Sequence, residues 1–385
     1  MAAYTVNVRG DLAADITRFY ERHDKREQGH YLHRGNNDSG PMTATRPVTT
    51  ATALWSSGQH TAALQSDPLA SPEPGQVLVM ALHSAISRGT ESLVYAGGVP
   101  ESVGDSMRAP FQQGNFAGPV KYGYLSVGVV TAVGDDHDRH LLARRVFCLY
   151  PHQDRYVVPR EALTLVPDGV PSARAALAGV LEVAINVIWD TAPAFGDRIA
   201  VIGCGLVGAS VAMVLSQFPL QRFTLVDPAP RSESLAQSLG ASWATPGNLI
   251  GEFDIVIHCS GTQEGLALGL SALAYEGEII EASWFGQNSP DVPLGHDFHA
   301  KRLSIRCSQV SSVAAGNRAR RTRADRMALA MEQLHRPIYD DLITGRSPFD
   351  QLPHTLAEVS AGLRPGWLEV IDYPGYTECE ATCSA

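Results

Sequence analysis

Three glycines near the middle of the chain have a spacing that could hold a phosphate group. In "RIAVIGCGLVGASVAMVL", Gly203, Gly205 and Gly208 have the G-x-G-x-x-G spacing, with a buried strand predicted before them and an apolar helix after them. The first glycine permits a tight turn, the second lets a pyrophosphate approach the backbone, and the third lets helix and strand pack closely. The start of the helix offers free N–H groups to a phosphate. This pattern predicts a dinucleotide site, and the alternative is a glycine-rich turn without a ligand.

An acidic residue follows at the distance that such a site requires. The next predicted strand ends in "LVD", which places Asp227 24 residues after Gly203. A carboxylate here accepts hydrogen bonds from the adenosine ribose and repels a 2′-phosphate, which favours NAD over NADP. Arg231, four residues further on, leaves NADP as an alternative. The predicted cofactor-binding residues are Gly203, Gly205, Leu206, Val207, Gly208, Asp227, Ser260 and Gly261, the last two at the end of "FDIVIHCSG".

Two patterns of apolar residues surround this site. From about residue 49, short alternating stretches such as "GQVLVMALHSAIS", "GYLSVGVVTAVG" and "RRVFCLY" predict a small antiparallel barrel or sandwich. Residues 172–190 change to a helical period, and apolar strands then alternate with helices, which is typical of a doubly wound parallel sheet. The stretch "WLEVIDY" is predicted to return to the first domain. We expect a poorly ordered extension over 1–45, a first domain over 46–171 completed by 336–385, and a dinucleotide-binding domain over 172–335.

Composition limits the classes of partner. At 385 residues the chain is long enough for two hydrophobic cores, and its apolar content of 44% is typical of a globular protein. Its net charge of −10 argues against binding to nucleic acid or an anionic membrane. No apolar run reaches the ~18 residues needed to cross a bilayer, and the N-terminal stretch lacks the pattern of a secretion signal. The six cysteines contain no C-x-x-C, which favours buried free thiols and a cytoplasmic location. The expected partner is a small-molecule substrate.

The order of the predicted elements resembles the medium-chain dehydrogenase/reductase superfamily over roughly residues 46–385. The matching stretches are "SAISRGTES", "GYLSVGVVTAVG", "RRVFCLYPHQDRYVVP", "GVLEVAINVIW" and "GCGLVG". The resemblance implies an α/β protein with a GroES-like β-barrel domain and a Rossmann domain, NAD or NADP as cofactor, and a homodimer joined through the edge of the nucleotide sheet. "ISRGTES" and "LEVAINVIW" are most similar to the subgroup around bacteriochlorophyllide a dehydrogenase, which oxidises a hydroxyethyl group on a chlorin.

The same resemblance implies that the catalytic zinc of many relatives is absent. Zinc-containing members carry Gly-His-Glu before the strand that corresponds to "SVGVV", where this chain has Gly123-Tyr124-Leu125. They also carry a cysteine ligand just before a Gly-Thr-Asp, and this chain has Ser87-Arg88-Gly89-Thr90-Glu91 there. Only Cys148 lies where the four-cysteine lobe of those relatives would be. A catalytic zinc needs three converging N, S or O ligands, so we expect no metal.

Four residues are predicted to act on the substrate in place of zinc. Tyr124 occupies the position of the lost histidine and could donate a proton to a carbonyl, although packing at the start of a strand is an equal alternative. Glu182 matches an acidic position on the bridging helix of zinc-containing relatives, and its alternative role is a buried partner for Arg88. Ser87 could relay a proton. Asn186, one helical turn after Glu182, could orient it.

Two further groups of residues suggest a metal site and an anion-binding site, and for both we favour a surface role. His296 and His299 are three residues apart but lack a third metal ligand, so a surface loop is favoured. The predicted helix "NRARRTRADRMALAMEQLH" carries five arginines, for which a solvated face or a subunit contact is favoured over an anionic substrate or nucleic acid. The five are Arg318, Arg320, Arg321, Arg323 and Arg326.

Together these features predict a zinc-independent NAD(P)-dependent oxidoreductase. The implied reaction transfers hydride between a nicotinamide and a secondary alcohol or ketone on a bulky substrate. One alternative is the reduction of an activated C=C bond in an enone or quinone. Another is a cofactor-binding sensor that has lost catalysis.

Overall fold

The computed structural model describes residues 49–374. The extension predicted over 1–45 lies outside the described residues, as do Cys379 and Cys383. Among the described residues no helix is both long enough and apolar enough to span a bilayer. The four described cysteines form no disulfide: Cys148 and Cys204 are buried, whereas Cys307 is exposed, which departs from the expectation of buried thiols.

The first part of the chain forms two antiparallel sheets, as period-two alternation predicts. One sheet has the strand order β2-β1-β5-β4 and the other contains β3, β6, β7, β8 and β9. A single helix, α1 (Arg88–Tyr95), follows β3 directly. The strands are β1 Thr49–Ser56, β2 Ala62–Leu69, β3 Gln76–Ile86, β4 Gln113–Gly114, β5 Val120–Lys121, β6 Ser126–Val133, β7 Arg145–Cys148, β8 Arg155–Pro159 and β9 Leu163–Leu165.

The last described segment joins this first part. It contains β16 (Ile343–Pro348), α9 (Leu352–Ser360) and β17 (Leu368–Asp372). β17 pairs antiparallel with β3 and parallel with β16, which extends the larger sheet to the order β16-β17-β3-β6-β7-β9. The return segment therefore completes the larger sheet of the first part.

The middle of the chain is a doubly wound domain. Its six parallel strands have the order β12-β11-β10-β13-β14-β15, so the strand order reverses between β10 and β13. In such sheets ligands bind outside the carboxyl ends of the strands at the reversal. The strands are β10 Arg198–Ile202, β11 Arg222–Val226, β12 Ser242–Ala244, β13 Phe253–His258, β14 Leu273–Glu281 and β15 Ser304–Cys307. The helices are α2 Ser172–Ala175, α3 Ala178–Thr191, α4 Leu206–Leu215, α5 Pro230–Ser238, α6 Gln263–Ser271, α7 Asp297–Ala300 and α8 Arg323–Gln333.

Helix α3 connects the two parts through a shared core. Its buried residues pack in one cluster with Leu125 and Val127 at the start of β6 and with Ile199 and Val201 of β10. Burial of this continuous apolar surface holds the start of β6 against the doubly wound domain. The predicted combination of a small β domain with a doubly wound α/β domain is confirmed.

Candidate functional site

The glycine-rich turn lies at the carboxyl end of β10, where the strand order reverses. Gly203 has φ +88°, and an added Cβ would lie 2.5 Å from the backbone of Ser260. A Cβ on Gly208 would lie 1.9 Å from the Gly203 carbonyl oxygen, so only glycine fits at either position. Around Gly205 no atom of the described protein lies within 4 Å of such a Cβ. This open side of the turn, at the start of α4, is where a diphosphate fits.

Asp227 at the end of β11 braces this turn. Its Oδ2 accepts the Cys204 N–H at 2.7 Å, and its Oδ1 accepts the Ala229 N–H at 2.8 Å. Each carboxylate oxygen has a further lone pair, so Asp227 can still accept hydrogen bonds from a ribose. Leu206 and Val207 form the first turn of α4, and the side chain of Leu206 is buried. The adenosine end of the predicted cofactor site is thus assembled as a unit.

A second loop, after β13, carries Ser260 and Gly261. The Ser260 Oγ lies 2.6 Å from Nε2 of His258, and the Gly261 N–H donates to the Ser283 Oγ at 3.0 Å. His258 is fully buried and its Nδ1 lies 2.7 Å from the Glu281 Oε2. The pairing of His258 with Glu281 ties the loops after β13 and β14 together. Sequence reasoning missed both residues, although a histidine closing an apolar strand was a signal.

The return segment closes over the glycine-rich turn. The Trp367 Nε1–H donates to the Cys204 carbonyl oxygen at 2.8 Å, and the Arg231 guanidinium lies 5.8 Å from the centre of the Trp367 ring. Arg88, next to Ser87, donates to the Arg364 carbonyl oxygen. Burial lowers the pKa of Arg88, Glu369 raises it and the neighbouring Arg231 lowers it further. Arg88 and Arg231 therefore lie close enough to influence each other, with the Glu369 carboxylate as a counter-charge.

Tyr124 and Ser87 form a direct hydrogen bond. The Tyr124 hydroxyl donates to the Ser87 Oγ at 2.6 Å, and its ring packs edge-on against Tyr122 with centroids 6.0 Å apart. Burial raises the pKa of Tyr124 to about 12, the hydrogen-bonding interactions with Ser87 and Thr90 oppose the rise, and Glu91 adds to it. The phenol is therefore protonated near neutral pH and can act as a proton donor.

Tyr124 also shares an apolar cluster with a residue of the loop that follows β14. Trp284, from the loop after β14, packs in the same apolar cluster as Tyr122 and Tyr124. The preceding residue, Ser283, accepts the Gly261 N–H. The loop after β14 thus links the apolar cluster around Tyr124 to the loop that carries Gly261.

Glu182 and Asn186 are both bound by Arg326, which was expected on a solvated helix face. The Arg326 Nη2 donates to the Glu182 Oε1 at 2.9 Å, and Nη1 donates to the Asn186 Oδ1. Arg326 is only 1% exposed, which corrects the expectation of a solvated arginine face. Burial raises the pKa of Glu182 and Arg326 lowers it. The proposed alternative partner, Arg88, does not contact Glu182, because it points to Arg364.

The structure therefore separates the four predicted catalytic residues into two pairs. Tyr124 contacts Ser87, whereas Glu182 and Asn186 share Arg326. Within residues 49–374 no hydrogen bond joins one pair to the other. Their roles in catalysis stay predictions, and the geometry gives Glu182 and Asn186 a structural role between α3 and α8.

The histidine pair and the four arginines other than Arg326 are on the surface. His296 and His299 are both exposed at and next to the short helix α7. The predicted arginine-rich helix begins later than expected, because a capping box between Thr322 and Asp325 sets its start. Arg318, Arg320 and Arg321 lie in the turns before it and are not helical.

The side chains at the zinc-ligand positions of relatives do not fit a zinc ion. Tyr124 is a phenol that stays protonated, Arg88, directly before Gly89-Thr90, carries a guanidinium that has no lone pair for a metal, and Glu182 is engaged by Arg326. The nearby His152 has one ring nitrogen against Glu91 and the other against Ser84. Zinc in proteins prefers thiolate, imidazole and carboxylate donors. No group of three or more His, Cys, Asp or Glu side chains in the described part could hold a metal ion.

Comparison with curated proteins gives one partial relative. No protein-family model matches the chain. A D-xylulose reductase from Scheffersomyces stipitis is 27% identical over 135 residues, which are 32% of this chain and 37% of the relative. The chain thus matches little more than a third of that relative's length.

Solved structures are similar over most of the chain at low identity. L-idonate 5-dehydrogenase from Escherichia coli has a TM-score of 0.69 at 16% identity, covering 85% of this chain and 99% of that one. An alcohol dehydrogenase from Escherichia coli CFT073 in complex with NADH has a TM-score of 0.66 at 15% identity, covering 84% and 99%. A zinc-binding-type dehydrogenase from Sinorhizobium meliloti 1021 bound to NADP has a TM-score of 0.65 at 14% identity, covering 84% and 99%.

These similarities agree with the predicted fold and with the predicted class of cofactor. The similar proteins are dehydrogenases and a reductase, and two of the structures hold NADH or NADP. The glycine-rich turn and its surroundings fit such a cofactor, as described above. The chain therefore has the fold of the medium-chain dehydrogenase/reductase superfamily, a GroES-like domain joined to a Rossmann domain.

Proposed function

We propose that this protein is an NAD(P)-dependent oxidoreductase that transfers hydride between the nicotinamide and a secondary alcohol or ketone without a metal ion. One observation carries the proposal: Tyr124, which is hydrogen-bonded to Ser87, shares an apolar cluster with Trp284, and the residue before Trp284 accepts the Gly261 N–H. A bound nicotinamide supplies or accepts the hydride, and the protein must manage the proton on the substrate oxygen. Two hydroxyl groups in contact suit that task.

The direction of the hydrogen bond suggests how the proton moves. Tyr124 donates to Ser87, which leaves the Ser87 hydroxyl hydrogen to be donated to a substrate carbonyl. As hydride adds to the carbonyl carbon, Ser87 gives its proton to the oxygen and takes the proton of Tyr124. The product is an alcohol and a Tyr124 phenolate, which regains a proton before the next turnover.

This mechanism favours ketone reduction near neutral pH. Because burial raises the pKa of Tyr124 to about 12, the phenol remains protonated up to strongly alkaline pH. Reduction should be insensitive to pH over the neutral range and fall as the pH approaches the pKa of Tyr124. Oxidation of an alcohol needs the phenolate. Its rate should therefore increase about tenfold for each unit by which the pH is raised, as long as the pH stays below the pKa of Tyr124.

We further propose a bulky substrate and a cytoplasmic homodimer. The size of the substrate rests on the similarity of "ISRGTES" and "LEVAINVIW" to the bacteriochlorophyllide a dehydrogenase subgroup, which acts on a chlorin. The cytoplasmic location is supported by the unpaired thiols of the four described cysteines. The homodimer is supported by β15, an exposed strand at the edge of the sheet. NAD is favoured over NADP by Asp227.

The test is NADH and NADPH consumption with a panel of cyclic ketones, small keto-sugars, enones and quinones. Tyr124→Phe should lower kcat by about 100-fold or more and leave the Kd for NADH within about twofold, because the lost hydroxyl acts only on the substrate proton. Tyr122→Phe, which removes a buried phenol two residues away, is the matched control and should retain kcat. Elemental analysis should find no stoichiometric zinc, and activity should survive a chelator.

Each alternative outcome identifies a different function. Activity confined to enones and quinones would mean C=C reduction. Tight NADH binding with no turnover of any compound by the wild type would mean a sensor. Loss of activity on removal of a stoichiometric metal would overturn the proposed mechanism.

A further inference from the structure

A buried chain of polar side chains runs beneath the Tyr124–Ser87 pair. The Glu91 Oε2 lies 2.9 Å from the His152 Nε2, and the His152 Nδ1 lies 2.6 Å from the Ser84 Oγ. The Ser84 Oγ lies 3.1 Å from the Tyr373 hydroxyl. Glu91, His152 and Ser84 are at most 3% exposed. These four residues come from α1, the loop before β8, β3 and the end of the return segment, and none is among the predicted site residues.

The chemistry of the chain allows a proton to pass along it. A carboxylate only accepts, so the His152 Nε2 carries a hydrogen that it donates to Glu91. The Nδ1 then accepts from the Ser84 hydroxyl when the imidazole is neutral, and Ser84 accepts from Tyr373. When the imidazole is protonated, the Nδ1–H donates to Ser84 and the order reverses. A proton that enters at Tyr373 can therefore reach His152 through two hydrogen bonds, by way of Ser84.

Tyr373, at the outer end of this chain, is 8% exposed and lies at the edge of a surface groove. Tyr373 lines a groove with a volume of about 730 Å³, together with Met80, Asp154 and Asp372. The predicted cofactor and substrate residues do not line this groove. Burial raises the pKa of Tyr373, and Asp154 and Glu91 add to the rise while Ser84 opposes it. The hydroxyl therefore stays protonated, as a relay group must.

The inner end meets the proposed catalytic pair. The Glu91 Oε1 accepts the Ser87 N–H at 2.7 Å, so Glu91 fixes the residue that receives the proton of Tyr124. Glu91 also raises the pKa of both Tyr124 and Tyr122. The charge of the Glu91–His152 pair thus acts directly on Tyr124. The titratable groups coupled to the chain in the described part include Glu91, Tyr122, Tyr124, Asp154, Tyr156 and Tyr373.

We propose that His152 exchanges a proton with the groove through Ser84 and Tyr373, and that its protonation compensates the charge formed on Tyr124 during turnover. This inference rests on the proposed function. Before reduction the site carries one negative charge, on Glu91. After Tyr124 becomes a phenolate, a proton taken from groove water by His152 restores a net charge of minus one. When the Tyr124 phenolate takes a proton from water on the substrate side, His152 releases its own proton to the groove, so each turnover consumes one proton from water together with the hydride and the ketone.

The decisive variants interrupt the chain without removing His152 or Glu91. Ser84→Ala and Tyr373→Phe each delete one relay hydroxyl, and Ser84→Thr restores it. The chain offers a matched control in Ser126 and Tyr156, a second buried serine–tyrosine pair at 3.0 Å in the same sheet. Ser126→Ala and Tyr156→Phe remove the same groups from a place outside the relay.

Two measurements separate this inference from the proposed function. Exchange of the His152 ring proton with solvent, followed by NMR on histidine-labelled full-length protein, should slow by about tenfold or more in Ser84→Ala and Tyr373→Phe. It should remain at the wild-type rate in Ser84→Thr and in both controls. Ketone reduction should show the same pattern in kcat, with the KM for NADH unchanged.

Exchange rates in Ser84→Ala and Tyr373→Phe equal to those of the controls would overturn the inference. So would an unchanged kcat in an otherwise active enzyme. If the wild type reduces no substrate, the proposed function and the coupling to Tyr124 both fail, while slowed exchange would still establish the route from the groove to His152.

Discussion

The carboxylate of Asp227 binds two backbone N–H groups and is also predicted to bind the adenosine ribose. It accepts the N–H groups of Cys204 and Ala229, which fixes the glycine-rich turn, and it faces the place where the adenosine ribose is predicted to lie. Arg231 lies on the same side of the turn, over Trp367. The preference between NAD and NADP therefore depends on the balance of one negative and one positive side chain.

Replacing Asp227 by serine should shift the preference toward NADP. The change removes the repulsion of a 2′-phosphate and leaves Arg231 to attract it, which at partly screened distances is worth about tenfold or more in affinity. The Kd values of NADH and NADPH, measured by fluorescence titration, should move in opposite directions. Asp197→Ser is the matched control, because Asp197 also braces a turn by accepting a backbone N–H, from Ala194 at 2.7 Å. An unchanged ratio of the two Kd values would contradict the assignment of Asp227.

At the scale of elements, a buried ion pair joins α3 to α8. Arg326 from α8 donates to Glu182 and Asn186 on α3, and to the carbonyl oxygens of Val310 and Ser312 in the segment between β15 and α8. A buried guanidinium needs such partners, because an unpaired charge in an apolar interior is very costly. The pair therefore determines how α8 packs.

Replacing Arg326 by methionine should destabilise the protein by about 3–5 kcal/mol, because Glu182 is left buried without its partner. Urea unfolding measures the change. The double variant Arg326→Met with Glu182→Met should recover much of that loss. Arg323→Met, on the exposed side of the same helix, should cost little.

Glu182→Gln tests the alternative role of this carboxylate. If Glu182 is structural, kcat of the folded variant should stay within about twofold of the wild type. A large loss of kcat with unchanged stability would return Glu182 to the catalytic residues.

At the scale of the whole molecule, β15 is an edge strand of the six-stranded sheet, with no strand of residues 49–374 paired to its outer side. β15 pairs with β14 on one side, and all four of its residues are exposed. Exposed edge strands pair readily with another chain unless they are blocked. Two copies of β15 related by a two-fold axis would join the sheets of two subunits.

Replacing Ile305 in the middle of β15 by lysine should therefore give a monomer. A charge at this position would be buried in the subunit contact, and charged residues on edge strands are known to prevent pairing. Light scattering coupled to size-exclusion chromatography measures the mass. Phe195→Lys is the control, since Phe195 is 88% exposed in a turn away from the strand. A wild-type monomer, or an Ile305→Lys dimer, would refute this mode of assembly.

The doubly wound domain and its glycine-rich turn could be predicted from the sequence because local sterics determine them. Gly203 and Gly208 are spaced so that a strand can turn into a helix at close range, and no other residue fits there. The alternation of apolar residues likewise predicts the strands of the first domain, because successive side chains point to opposite faces of a sheet and one face is buried. These features depend on neighbours in the chain.

The partners of the buried polar groups were decided by the tertiary structure alone. Glu182 pairs with Arg326, 144 residues away, and His152 pairs with Glu91, 61 residues away. Such contacts depend on how distant elements pack, and no local pattern encodes them. An arginine in a basic stretch thus proved to be buried, and a histidine in an unremarked loop proved to lie beneath the predicted site. The sequence alone determined the kind of fold and the place of the glycine-rich turn, whereas long-range packing decided which side chains hold a charge or a proton.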